Sequence, residues 1–152
     1  MKPENWISLA QFAFTAAALF IGPWWAVRRS IAQFHEQKIW EKQVETYQQL
    51  ISDISHLYEH YSDNFQRAVT NEELIELSSE LKEARTKLER HANCGGFIIS
   101  ERAGKAIREA LYSTDPSRYG GYAEYYDGAA GGLKENLAIL IRCAKDQCHF
   151  PQ

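Results

Sequence analysis

The sequence predicts an all-α protein in which one N-terminal transmembrane helix continues into a cytosolic antiparallel helical bundle of about four helices. Three features predict it. Residues Trp6–Val27 carry no formal charge. From Ser30 to Thr70 the chain contains neither glycine nor proline, the two residues that interrupt helices most strongly. Farther on, apolar residues recur at steps of three and four, without the sustained two-residue alternation of a strand. The expected division is an anchor, residues 1–29, and a bundle, residues 30–152, whose long first helix covers 30–69.

The anchor reads WISLAQFAFTAAALFIGPWWAV, close to the roughly 20 apolar residues an α-helix needs to cross hydrocarbon. Trp6 stands at one end and Trp24 and Trp25 at the other, with Arg28 and Arg29 following, the pattern of interfacial anchoring. A secretory signal peptide would start basic and end at small residues, whereas this segment follows MKPEN and ends in Pro-Trp-Trp. A buried core helix would be shorter, and an interfacial helix would line one side with Lys or Arg. Lys2 and Glu4 precede the span, while Arg28, Arg29, Lys38 and Lys42 follow it. That bias places the N-terminus outside and the bulk of the chain in the cytoplasm, as a single-pass protein of the inner membrane. Cys94, Cys143 and Cys148 fit a reducing compartment, because three cysteines without framework spacing do not make a disulfide scaffold.

Within the span, Ser8, Gln11, Thr15, Ala18 and Gly22 share one helical face. A small and polar face in lipid seeks another helix or water. Two readings stay open: a packing face between copies, or the lining of a pore with Gln11 and Thr15 toward its axis. Gly22-Pro23 predicts a kink near the cytoplasmic end.

Past the membrane, Trp40, Val44, Tyr47, Ile51, Ile54, Tyr58, Tyr61, Phe65 and Ala68 alternate at four and three and mark the inward seam of the long helix. Thr70 and Glu73 form a capping-box pattern, which predicts a second helix bearing Leu74, Leu77, Leu81, Ala84 and Leu88 and packed back on the first as a hairpin. Asn93-Cys94-Gly95-Gly96 stops it. Ser100 caps a third helix with Ala103, Ile107 and Ala110 inward and Arg102, Lys105 and Glu109 outward. Ser113 to Gly132 is a Gly- and Tyr-rich break. A final helix follows over roughly Leu133–Gln147, with a start as early as Tyr122 left open.

Several residue groups bear on chemistry. His56-Leu57-Tyr58-Glu59-His60 has the spacing H-x-x-E-H, but a metalloprotease also needs a third ligand and a cleft, so both histidines are placed on the solvated side of the long helix. His91, Cys94, Cys143, Cys148 and His149 lack the tight spacing of a zinc finger, so buried cysteine acting as a small hydrophobe is the expectation. No metal and no cofactor is expected. Arg85 to His91 and Arg142 to His149 resemble the R-x4-6-H element of the HEPN nucleases, which implies phosphodiester cleavage by paired copies. Thr86 and Cys143 stand where that family has a polar amide or acid, and the chain is expected not to be an enzyme.

The most informative cluster outside the membrane is Arg102, Lys105, Arg108, Arg118, Tyr119, Tyr122, Tyr125 and Tyr126. Cations beside aromatic faces suit a nucleotide or a single-stranded oligonucleotide. A net charge of −3, with Glu101, Glu109 and Glu124 interrupting the patch, excludes a bulk nucleic-acid coat.

The layout from WISLAQFAFTAAALFIGPWWAV through RRSIAQF into the helices behind it resembles small single-span membrane effectors of bacterial antiphage defence, such as the accessory membrane protein of type VI CRISPR systems or the channel of the Hailong system. The resemblance implies a homo-oligomer whose membrane helices open a conducting path when the cytosolic domains sense a signal. The expected partners are the membrane, further copies of the chain, a nucleotide or oligonucleotide, and a cytosolic protein. The rival expectation is a membrane-tethered adaptor without a pore.

Overall fold

The computed structural model describes the backbone of residues 3–94 and 98–148 and the side chains of residues 24–93 and 98–148. The order is α1 (Pro3–Thr70), α2 (Ser79–Cys94), α3 (Glu101–Ser113), a 3-10 turn (Pro116–Arg118) and α4 (Tyr122–Gln147). The chain is all-α, with no strand among the described residues. It divides into two compact units, Met1–Ile39 and Trp40–Gln152, and the second holds the helical bundle. Among the described residues, no helix is long and apolar enough to cross a membrane. Most of Trp6–Val27, including the face Ser8, Gln11, Thr15, Ala18 and Gly22, lies outside the described side chains.

The buried stripe of α1 is Tyr47, Leu50, Ile54, Leu57, Tyr61 and Asn64, at three- and four-residue steps. It corrects the expected seam by a rotation. Tyr47, Ile54 and Tyr61 are shared, but Leu50 and Leu57 are at the centre, and Ile51, Tyr58 and Phe65 are half-buried on a flank. Leu50 and Leu57 join the core cluster of Leu88, Ile107, Leu133 and Leu140. In the core α3 packs against α4 and α2 against α3, and the buried stripe of α1 joins the same cluster.

The capping box expected at Thr70–Glu73 is not formed. Thr70 is still helical, and its hydroxyl donates back to Gln66 O (3.1 Å). Asn71 takes a left-handed φ of 55°, and the Glu72 amide bonds Arg67 O at 2.9 Å, a Schellman-type stop. Residues 72–78 are non-helical, and Ser78 accepts from the Leu81 amide (3.2 Å) to start α2 later than expected. Asn64 is what holds this segment. Fully buried, it donates to Ile75 O (2.9 Å) and accepts from Ile75 N (2.7 Å), replacing a strand-like partner for that backbone.

Ser100 caps α3 as expected, accepting from Ala103 N at 3.2 Å. Its own amide donates to Gln147 Oε1 (3.1 Å) and to the Tyr47 hydroxyl (3.2 Å), which joins α1, the start of α3 and the end of α4. The final helix takes the earlier of its two possible starts, Tyr122, and runs through three glycines. Two of them are there for contact. A Cβ on Gly128 would stand 2.3 Å from the Tyr119 ring, and one on Gly132 would stand 2.3 Å from Ser113 Cβ. The glycines therefore let α4 lie against α3 and the turn before it, which outweighs their poor helix propensity.

Candidate functional site

Where α3 gives way to α4, the local sequence builds an aromatic corner. Asp115 accepts from the Ser117 amide (2.9 Å) and opens the 3-10 turn, and hydrogen bonding from the Ser117 side chain first, and then from its amide, holds its carboxyl below the usual carboxylate range. Gly121 is the N-cap of α4 without a side-chain cap, and Glu124 reaches back to the Gly120 amide at 3.1 Å. The first turn of α4 then presents Tyr122, Tyr125 and Tyr126 beside Tyr119. These four tyrosines, with Pro116, Gly120 and Gly121, line a cleft of about 280 Å³.

The rings are held to different degrees. Tyr119 donates to Ser113 O (3.0 Å), and its ring lies 5.7 Å from that of Tyr125. Tyr125 and Tyr126 are 4.8 Å apart, and Tyr61 from α1 packs edge-on to Tyr125 at 5.7 Å. The Tyr125 hydroxyl shares its proton between the Tyr61 hydroxyl (3.1 Å) and Thr114 O (3.3 Å). Burial first, and then the hydrogen bond from Tyr125 to Tyr61, push the Tyr125 phenol far above its ordinary value, and burial also raises Tyr126. Both phenols are neutral at physiological pH. Tyr122 is different: it is 75% exposed and stands at the rim.

The sequence-selected cations separate into two groups. Arg118 joins the aromatic corner, with its guanidinium carbon 4.1 Å from the Tyr112 ring centroid and 5.9 Å from that of Tyr119. Arg102, Lys105 and Arg108 lie on the exposed face of α3 and are not among the residues lining the cleft. Lys105 pairs with Glu109 (3.7 Å), and Arg108 donates to Ala92 O at 2.8 Å near the end of α2. Sequence reasoning missed two other cations. Lys82 and Arg85 of α2 line a second cavity of about 450 Å³, which shares Pro116, Tyr125 and Tyr126 with the tyrosine cleft. The signal available was their three-residue spacing on one face of α2, which Thr86 and the Arg85–His91 comparison obscured.

The remaining motifs are placed as follows. His56 and Glu59 are exposed, but His60 is half-buried, contrary to the solvated placement expected of it. Burial lowers its pKa against an opposing pull from Asp63, and Asn64 Nδ2 lies 3.1 Å from its Nε2. That geometry suits a neutral ring accepting at Nε2. Cys143 is buried and Cys148 half-buried, with burial raising the Cys148 thiol. The Cys94 side chain and His149 lie outside the described residues. Among the described residues no group of three or more His, Cys, Asp or Glu is arranged to hold a metal ion. Arg85 is half-buried with its Nε 3.4 Å from Glu89, His91 is half-buried, and Arg142 is exposed.

No protein-family model matches the chain, and neither a curated protein nor a solved structure matches it.

Proposed function

We propose that the chain is a membrane-anchored, self-associating effector whose N-terminal helices line a gated conducting path and whose bundle responds to a small ligand or a protein partner. One observation carries the membrane assignment: an aromatic and cationic belt closes the uncharged segment. Trp24 and Trp25 are 59% and 61% exposed, and the guanidinium groups of Arg28 and Arg29 stand 5.3 and 6.0 Å from their rings. Indole at the headgroup level beside cations facing the cytoplasm is the arrangement that fixes a span in a bilayer. The exposed residues Trp24, Val27, Ile31 and Phe34 also fall on one helical stripe. Ile31 and Phe34 lie beyond the belt, where water would meet them, and their exposure on this stripe supports self-association. The small and polar face that carries Gln11 and Thr15 in the sequence is the one this reading assigns to the conducting path, and the layout fits a role in bacterial antiphage defence.

The rival reading, a tethered adaptor, draws support from an apolar groove of about 410 Å³ in the bundle, lined by Val44, Ile51, Ile141 and Cys148 among others. Reconstitution in liposomes decides between them. The pore reading expects an oligomeric mass in lipid nanodiscs and ion flux that Gln11→Leu abolishes. No flux at any protein density leaves the adaptor, and a monomer that is soluble without detergent removes the membrane assignment itself.

A further inference from the structure

We infer that the tyrosine cleft and the cavity beside it take a mononucleotide, with the base against the tyrosines and the phosphate toward Lys82 and Arg85. The inference rests on the ligand-sensing half of the proposal above and names its ligand class. The cleft wall is made of four tyrosines, a proline and glycines, so it offers ring faces and no Asp, Glu, Lys or Arg of its own. Such a wall recognises either a flat π-system or an organic cation.

The surroundings decide against the cation. Arg118 already lies against the Tyr112 and Tyr119 rings, and Arg85 lines the adjoining cavity together with Tyr125. A second positive charge entering the cleft would meet like charge on two sides. A flat base meets neither obstacle. It stacks on Tyr122, whose exposure leaves a ring face open to a ligand.

The adjoining cavity supplies what a phosphate needs. It shares Pro116, Tyr125 and Tyr126 with the cleft and presents Lys82 and Arg85 against one carboxylate, Glu76. Arg85 engages Glu89 through Nε, and its forked geometry is suited to phosphate oxygens. The two spaces, about 280 and 450 Å³, jointly fall within the roughly 300–1,000 Å³ of small-molecule sites. The phosphate-binding charge is thereby on α2, whereas the sequence suggested Arg102, Lys105 and Arg108 of α3 together with Arg118 of the 3-10 turn.

Calorimetry on the full chain in detergent tests the inference, with adenosine monophosphate, adenosine, inorganic phosphate and choline as probes. The monophosphate should bind more tightly than adenosine or phosphate alone. Tyr122→Ala should weaken it by about tenfold, the scale of one lost stacking contact. Arg85→Gln should weaken the monophosphate but not adenosine, and Lys105→Ala should change neither. Tyr122 is exposed, so its removal spares the core, and unchanged melting of each variant confirms that. Preference for choline, or monophosphate affinity indifferent to either Tyr122→Ala or Arg85→Gln, overturns the inference. Liposome flux without nucleotide binding would sink the ligand class alone, whereas binding by a non-conducting monomer would sink only the pore.

Discussion

Gly131 and Gly132 are neighbours in the middle of α4, and replacing each with alanine should move stability in opposite directions. Both substitutions gain the same helix propensity, about 0.8–1 kcal/mol. At Gly131 a Cβ meets nothing within 4 Å, so the gain should appear whole. At Gly132 the new Cβ stands 2.3 Å from Ser113 Cβ and 2.5 Å from its Oγ. Ser113 cannot swing away, because its Cβ is fixed to the backbone at the end of α3, and its hydroxyl donates to Ala110 O at 2.7 Å. The two helices must separate instead, at the roughly 1–3 kcal/mol typical of overpacking. The gap between the variants should therefore be about 1–3 kcal/mol, with Gly131→Ala above wild type by about 2–4 °C in Tm for a chain of this size. Thermal unfolding of the full chain in detergent, followed by circular dichroism, reads both. Equal shifts of the same sign would refute the close approach of α3 and α4 at this point.

Asn64→Ala should destabilise by about 1–3 kcal/mol, since it strips the Ile75 backbone of both partners. Hydrogen exchange should show the Ile75 amide losing protection, and unchanged protection would mean that the segment 72–78 is held by something else. Because burial lowers the His60 pKa, its neutral ring contributes stability above the unfolded value of about 6.5. That contribution is lost as pH falls through the lowered folded value. His60→Gln should flatten the slope of stability below about pH 6.5, and an identical slope in the variant would show that another group titrates there. Gly128→Ala should push the Tyr119 ring out of the cleft wall and lower adenosine monophosphate affinity, while the more distant Gly131→Ala leaves it intact. Equal affinities in these two variants would remove Tyr119 from the site.

The parts of the fold legible in the sequence were those set by neighbours along the chain. The Ser100 cap depends on an amide three residues on, and the end of α1 near Thr70 follows a stretch without breakers. What escaped depended on distant partners. Asn64 reads as a polar interruption of a stripe, and only its two bonds to Ile75, eleven positions on, explain why it is buried. The glycines of α4 read as loop residues until Tyr119 and Ser113 are seen against them. At the candidate site, four tyrosines close in sequence line one cleft, because one turn of helix and one short loop suffice to gather them. Which cations joined them was a question of helix placement, and local spacing along α3 held no answer to it.

The junction at Ser100 makes the bundle sensitive to trimming at its far end. Gln147 lies in the last turn of α4, yet its side-chain oxygen accepts from an amide 47 positions earlier and from the Tyr47 hydroxyl. A protease cut just ahead of Gln147 would thus be felt at the head of α3 and along α1, well away from the scissile bond. A cut after Cys148 would spare those contacts, together with the bond from Trp40 to the Cys148 carbonyl.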